Sequence, residues 1–197
     1  MPTLATRLRG AGVRIVNMSW HFTIDNLRDG LLDSGAETDP ERAGERAKLM
    51  FAQLEGPMRS LILDCPDTLF VAAAGNSNRP SERALPQSFD APNLLVVGAT
   101  GANGRPTAFT TYGERVRLYA RGEAVAVRAP GGLAMKASGT SFSAPMVARA
   151  AAAMLAVNPR LSPQQLIEGL LATATRDEDG LRLLHSAQAL GWATPPR

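Results

Sequence analysis

The sequence predicts an α/β fold in which helices flank a mostly parallel sheet. The run 67–76 (DTLFVAAAGN) is apolar almost throughout and ends in Gly75-Asn76, which is typical of a strand buried on both faces. The segment 142–157 (FSAPMVARAAAAMLAV) consists of strong helix formers. With 197 residues, of which 45% are hydrophobic and 20% charged, we expect one globular domain.

The other predicted elements follow from local patterning and turn residues. Ser162 and Gln165 form a capping box in sequence, with Pro163 at the first helical position, so a helix is expected to begin there. The remaining elements are, in chain order, a helix at 4–10, a strand within 12–20, a polar surface loop of about twenty residues from 23 followed by a helix toward Leu63, strands at 94–100 and 116–120, and a β-ribbon across 124–137.

One serine lies where a flexible turn meets the start of the longest apolar helix. In the string 139–147 (GTSFSAPMV), Pro145 predicts that the helix begins near Ser141, because proline is tolerated in a first turn. A hydroxyl there is close to the positive end of the helix dipole and to N–H groups that can stabilise an oxyanion. Ser141 is therefore a candidate nucleophile, and the alternative is an ordinary N-cap serine.

A second candidate lies at the end of the strand predicted within 67–76. Catalytic and ligand-binding groups gather at the carboxyl ends of parallel strands, which makes Asn76 a candidate site residue. The alternative interpretation is a strand-to-loop residue in a left-handed turn after Gly75.

Three strings are similar to the signatures of one enzyme family. The serine string 139–147, the Ala-Ala-Gly-Asn sequence at 73–76 and the segment 12–20 (GVRIVNMSW) occur in the order found in subtilisin-like serine proteases, the subtilases or peptidase S8 family. The chain resembles the carboxyl-terminal portion of their catalytic domain. The resemblance implies a subtilisin-like fold, incomplete at the amino-terminal side, that spans 1–197 as a partial domain with a variable insertion plus helix at 23–56 and a tail at 190–197.

The resemblance also implies roles for particular residues. Ser141 corresponds to the nucleophile and Asn76 to the side-chain donor of the oxyanion hole. Ser19 and Trp20 correspond to the edge that binds the substrate peptide as an added strand, together with the Ala74-Gly75 segment. For Trp20, a partly buried position at a strand end is an equally good interpretation. His21 stands where the family usually has glycine, so the substrate preference is not predicted.

The chain lacks the family's other two catalytic signatures. A serine nucleophile needs a base and an acid that orients the base, and subtilases carry both upstream, in the order Asp, His, Ser. The only two histidines are His21 and His185. We expect His185 to be a surface or helix-end residue and do not predict His21 as a base. The catalytic Asp and His are therefore expected from a missing amino-terminal part of the domain.

Two functions remain open from the sequence. The first is a serine endopeptidase that hydrolyses polypeptides through an acyl-enzyme. The second is a non-catalytic or truncated subtilase relative that retains only a peptide-binding edge. The isolated chain is expected to be inactive for lack of the catalytic Asp and His.

Charge and cysteine content exclude several other classes. The net charge of +3 comes from scattered arginines, which predicts no nucleic-acid partner. Cys65 is the single cysteine, so no internal disulfide forms, and no metal or other cofactor is predicted. Calcium would be possible only in the full-length family domain. No signal peptide and no membrane span are predicted, and the compartment stays unknown.

Overall fold

The computed structural model describes residues 3–80 and 84–195, and the α/β prediction is confirmed. The strand predicted at 94–100 is found with those bounds. The elements are α1 Leu4–Gly10, β1 Ile15–Met18, α2 Ile24–Asp33, α3 Pro40–Leu63, β2 Leu69–Ala73, β3 Leu94–Thr100, β4 Val116–Arg121, β5 Val125–Arg128, β6 Ala134–Ala137, α4 Thr140–Val157, α5 Pro163–Ala172, β7 Thr175–Arg176, β8 Arg182–Leu183 and α6 Ser186–Ala193.

Among the described residues, the main sheet has six strands in the order β1-β2-β3-β4-β8-β7. Its first five strands in that order pair in parallel, and β7 alone pairs antiparallel, with β8. The strands β5 and β6 form a separate antiparallel ribbon, as the sequence predicts for 124–137. Because β1 and β7 are the outer strands, each has one free edge within the part of the chain described here.

The sheet separates two apolar layers. Along β2, Leu69 and Val71 face a layer formed with α4, α5 and α6, whereas Phe70 faces a layer formed with α1 and α3. All three side chains are fully buried. This explains why β2 is apolar at every position, since both of its faces are covered.

The helix α4 is the central packing element of the first apolar layer, the one that contains Leu69 and Val71. Its 18 residues are apolar enough that, by length and composition alone, it would also pass as a membrane span. It lies against strands β1 to β4, and Val147, Ala151 and Met154 are fully buried there. This burial is the pattern of a core helix in a folded domain.

The segment 23–56 differs from the predicted surface loop. Residues Ile24–Asp33 form α2, which begins with a capping box between Thr23 and Asn26. Leu31 of α2 is buried against Ala43 and Ala47 of α3. Tertiary packing therefore stabilises this helix, although its polar sequence does not predict one. The polar loop expected before the second helix is limited to the short connection between α2 and α3.

The predicted tail at 190–197 is also shorter than expected. The helix α6 continues to Ala193, which is buried together with Ala189 in the first apolar layer. Two small residues four positions apart therefore fix the last helix to the core. Pro196 and Arg197 lie outside the described residues.

Candidate active site

Asn76 lies just beyond the carboxyl end of β2 and binds the first residue of α4. Its Oδ1 accepts hydrogen bonds from the Thr140 main-chain N–H and from Thr140 Oγ1, both at 2.9 Å. Thr140 Oγ1 in turn accepts from the Gly75 N–H at 3.1 Å. These bonds fix the amide so that its oxygen faces the protein. The Nδ2 group donates to no acceptor among the described residues, which leaves it for an external oxygen.

Gly139 keeps the space beside this amide open. Its φ of 151° is a conformation that side-chain-bearing residues rarely adopt, and a Cβ there would lie 3.2 Å from Asn76 Nδ2. The Gly139 N–H donates to the Gly122 carbonyl at 2.8 Å, which fixes the turn before α4. The absence of a side chain at position 139 thus leaves the Asn76 donor accessible.

Ser141 and Ser19 exchange two hydrogen bonds. Ser141 Oγ donates to the Ser19 carbonyl at 3.2 Å, and Ser19 Oγ donates to the Ser141 carbonyl at 2.9 Å. The helix begins at Thr140, one residue before the predicted start, so Pro145 lies in its second turn. Proline has no N–H, and the Ser141 carbonyl therefore lacks its normal helical donor four residues later. Ser19 Oγ takes the place of that donor.

The amino terminus of α4 provides a further donor beside the serine. The Ser141 main-chain N–H precedes the first possible intrahelical bond and has no acceptor among the residues described. It lies one residue from Thr140, which holds Asn76. An unused main-chain donor and an unused side-chain donor therefore occur on neighbouring groups, where the helix dipole also favours negative charge.

The predicted peptide-binding residues lie around the end of β1, next to Ser141. Trp20 is 41% exposed, and its ring packs on Phe22 with the centroids 5.5 Å apart. Gln87 is fully buried, and its Nε2 donates to the Trp20 carbonyl at 3.3 Å and to the Ala73 carbonyl. The carbonyls of both Ser19 and Trp20 are thus already engaged inside the protein.

Ala74 and Gly75 directly follow β2, the strand that pairs with β1. The Ala74 N–H donates to the Val97 carbonyl, and the Gly75 carbonyl accepts from the Thr111 N–H, each at 2.9 Å. Since the Gly75 N–H is also bonded, to Thr140, the Gly75 peptide has no free donor for a substrate. Of these two residues, only Ala74 retains a carbonyl that no described residue occupies.

The two histidines have different surroundings. The His21 ring lies over Gly75, since a Cβ built there would be 3.5 Å from His21 Nε2. Partial burial lowers the pKa of His21 below its ordinary value. His185 is the N-cap of α6, where its Nδ1 accepts from the Gln188 N–H at 3.2 Å. Neither imidazole is hydrogen-bonded to Ser141.

Sequence reasoning missed Thr140 and Gln87. Thr140 is fully buried and joins the end of β2 to the start of α4 through three hydrogen bonds. Thr140 could have been found from its sequence position, because it places a hydroxyl at the first residue of α4. No local sequence pattern identifies Gln87. Within residues 3–80 and 84–195, no three His, Cys, Asp or Glu side chains come together as a metal site.

Comparison with known proteins relates the sequence to one enzyme family. The sequence model described as the subtilase family matches residues 3–192. A subtilisin-like protease of Coccidioides posadasii is 33% identical over 120 residues, which are 59% of this chain and 27% of that protein. The extracellular basic protease of Dichelobacter nodosus is 38% identical over 122 residues, 55% of this chain and 19% of that protein. The matched part is thus about a quarter or less of either relative.

Solved structures show the same fold. The self-cleaved protease domain of PatA has 27% identity and a TM-score of 0.65, and the match covers 96% of this chain and 65% of that domain. A cold-adapted subtilisin-like serine proteinase has 26% identity and a TM-score of 0.61, with coverage of 87% and 54%. The chain therefore spans about half to two thirds of these structures.

Proposed function

The chain belongs to the subtilase family, and from that premise we propose that it carries the nucleophile and the oxyanion hole of a serine endopeptidase. Ser141 is the nucleophile. Asn76 Nδ2 and the Ser141 N–H are the donors to the oxyanion. The observation that supports this assignment is the fixed orientation of Asn76, whose Oδ1 is held by Thr140 while its Nδ2 has no described acceptor.

The proposed reaction proceeds through a covalent ester. Ser141 Oγ attacks the substrate carbonyl carbon while its proton passes to a base, and the carbonyl oxygen becomes an oxyanion held by the two donors. Collapse of this intermediate breaks the C–N bond, and the protonated base gives its proton to the leaving amine. Water then hydrolyses the ester by the same steps, which releases the acid product and restores Ser141.

The base and its orienting acid come, in this proposal, from a segment outside these 197 residues. The free edge of β1 is the place where such a segment can add to the sheet, because β1 is an outer strand and leads directly to Ser19. The base would take the Ser141 hydroxyl proton in place of the Ser19 carbonyl, which accepts it at present.

The substrate is a polypeptide in extended conformation. We assign its binding to Ser19, Trp20, Ala74 and Gly75, which follow the carboxyl ends of the neighbouring strands β1 and β2. The exposed ring of Trp20 offers apolar contact, and the Ala74 carbonyl is available for a main-chain hydrogen bond. The bonded Gly75 peptide contributes shape rather than hydrogen bonds.

A second candidate function is peptide binding without hydrolysis. It is favoured by the hydrogen bond of Ser141 Oγ to a main-chain carbonyl, since a hydroxyl held in this way has no base to activate it. In this case the chain would keep the same peptide edge and the same donors but would form no acyl-enzyme.

Labelling with a fluorophosphonate probe distinguishes the two functions. We expect no labelling of the chain alone, and labelling of Ser141 after addition of a separately expressed segment that carries the Asp and His motifs of the family. The matched controls are Ser141→Ala, which abolishes labelling, and Ser143→Ala, which changes the serine two residues further along and keeps it. Binding of a peptide amide, which has no electrophilic group, without any labelling in the mixture would favour the non-catalytic function.

In a labelled, active mixture the role of Asn76 can be measured directly. Asn76→Ala is expected to reduce turnover about 100- to 1,000-fold, the size of the loss caused by removing an equivalent donor in subtilisin, itself a member of this family. Unchanged turnover in that variant would contradict the assignment of Asn76.

A further inference from the structure

Three arginines line one open cavity at the end of the sheet opposite to Ser141. The cavity has a volume of about 550 Å3 and is bounded by α5, by β7 and β8, and by the start of β4. Arg117, Arg176 and Arg182 contribute its charge, and Glu168 is the only carboxylate among the described residues that line it. None of the three arginines forms an ion pair with a described carboxylate.

Arg117 reaches this cavity because of an irregularity in β4. Val96 of β3 pairs with Val116, and the next residue, Val97, pairs with Leu118, so Arg117 is an extra residue in the ladder. Such a bulge redirects a side chain at the expense of regular pairing. Here the extra residue Arg117 is exposed and lines the cavity, whereas Val116 and Leu118 on either side of it are buried.

Arg176 and Arg182 are directly opposite each other on β7 and β8. Opposed side chains in an antiparallel pair have Cβ atoms about 5 Å apart, and like charges at that distance are destabilising. Of the two side chains, only that of Arg176 has a partner among the described residues, the Gly180 carbonyl at 2.9 Å, which is neutral. A bound anion would remove the repulsion between these two guanidinium groups.

We propose that this cavity binds an acidic peptide segment through its carboxylates. Arginine binds a carboxylate through two parallel hydrogen bonds, and three guanidinium groups can hold more than one acidic side chain. Apart from Gln164 and Glu168, the other described lining residues are aliphatic, with Ile167 and Leu171 as the largest, and none of them is an aromatic ring on which a base could stack. The free edge of β7 lies beside the cavity and suits an extended main chain.

The site is independent of the proposed peptidase chemistry. Pro92 lines the cavity and lies two residues before β3, whereas Asn76 and Ser141 lie beyond the carboxyl end of β2 and at the start of α4. Because β2 and β3 run in the same direction, with Phe70 opposite Leu94, the cavity extends to the amino end of these strands, away from Asn76. An acidic segment bound here would therefore lie away from Ser141.

The test is fluorescence anisotropy with a labelled peptide that alternates Glu and Leu, compared with a peptide of the same length that alternates Gln and Leu. We expect the acidic peptide to bind and the neutral one to bind at least about tenfold more weakly, with an affinity that falls as salt is added. Arg182→Glu is expected to abolish binding. Arg128→Gln, which removes an exposed arginine from β5, should leave it within about twofold of the parent.

Arg182→Glu also separates binding from folding. It creates an opposite-charge pair with Arg176 across β7 and β8, so the variant should unfold at the same or a higher temperature than the parent. Loss of peptide binding with a lowered melting temperature would overturn the proposal, as would equal binding of the neutral peptide. Displacement of the peptide by pyrophosphate at a lower concentration than by free oligoglutamate would assign the cavity to phosphate and overturn the peptide assignment.

Discussion

Ser19 Oγ donates to the Ser141 carbonyl at 2.9 Å, in the place of the N–H that Pro145 lacks. The bond ties the end of β1 to the first turn of α4, and Ser141 Oγ returns a hydrogen bond to the Ser19 carbonyl. A proline in the second turn would otherwise leave a partly buried carbonyl without a donor. Because Pro145 lacks an N–H, the Ser141 carbonyl is free to accept from Ser19, and this hydrogen bond links the end of β1 to the candidate nucleophile.

A double-mutant cycle measures this coupling. Ser19→Ala should lower the free energy of unfolding by about 1–2 kcal/mol, because the Ser141 carbonyl loses its donor. In a Pro145→Ala background the same change should cost clearly less, because residue 145 can then donate to that carbonyl. Urea denaturation of the four proteins gives the interaction energy.

A second hydrogen bond of Ser19 does not affect the interaction energy that the cycle measures. Ser19 Oγ also accepts from Asn17 Nδ2 at 2.9 Å, and this bond is lost equally in both backgrounds, so it cancels. Equal losses of stability in the parent background and in the Pro145→Ala background would show that Ser19 does not replace the missing N–H.

Thr140 offers a second test, in which the hydroxyl is separated from the rest of the side chain. Thr140→Val removes the acceptor of the buried Gly75 N–H and one of the two donors to Asn76 Oδ1. We expect a loss of about 2–3 kcal/mol, since a buried polar group left without a partner carries its full desolvation penalty. Thr140→Ser keeps the hydroxyl and should lose less than half as much. Similar losses in both variants, measured by urea denaturation, would mean that packing of the methyl group matters more than the hydrogen bonds.

The parts of the fold that were predictable from sequence are those whose pattern is local. The strand Leu94–Thr100 is buried at every position. The bounds of such a strand can be predicted from sequence, because an apolar run ends where glycine or polar turn residues begin. The helix α2 escaped prediction because its mean composition is polar, and it is held by the Thr23 capping box and by Leu31 packing on α3. Those contacts depend on a neighbouring element that the local pattern does not report.

In the candidate site, too, some residues could be predicted from the sequence and others could not. Ser141 and Asn76 stand in recognisable strings, and the structure brings the two strings together through Thr140. The contribution of Gln87 depends on the approach of the segment after β1 to β2 in space, which no spacing in the sequence encodes. Residues that join two elements through hydrogen bonds therefore became visible only with the fold.

His21 makes the stability of the chain dependent on pH. Burial lowers the pKa of this imidazole in the folded state below the ordinary value of 6.5. Between these two pKa values the unfolded chain binds more protons than the folded chain. The free energy of unfolding therefore falls as the pH is lowered through 6.5, and the contribution of His21 levels off below the folded-state pKa.

Denaturation of the parent and of His21→Asn over a pH series from about 8 to 5 isolates this contribution. The difference in unfolding free energy between the two proteins should shift in favour of the variant as the solution becomes more acidic. A difference that stays constant across the series would show that His21 titrates equally in the folded and unfolded states.

The contact between Gly122 and Ser143 gives the last prediction. A Cβ on Gly122 would overlap Ser143 Oγ and would lie 2.7 Å from Ala99 Cβ and 2.8 Å from the Gly139 carbonyl. Gly122→Ala should therefore destabilise the protein by about 1–3 kcal/mol, as expected for overpacking of a closely packed site. Gly44→Ala is the matched control, since a Cβ there meets nothing within 4 Å and alanine favours the helix α3, so it should be neutral or stabilising.

Ser143→Ala extends this test, because the buried Ser143 hydroxyl has no hydrogen-bond partner among the described residues. Alone, it should leave stability unchanged or raise it by up to about 1 kcal/mol, since an unpaired polar group is removed. Combined with Gly122→Ala it should recover part of the loss but not all, because Ala99 and the Gly139 carbonyl still crowd the new methyl group. Full recovery of stability in the double variant would mean that overlap with the Ser143 hydroxyl is the only reason why position 122 must be glycine. No recovery would mean that crowding against the Gly139 carbonyl and Ala99 causes the whole loss.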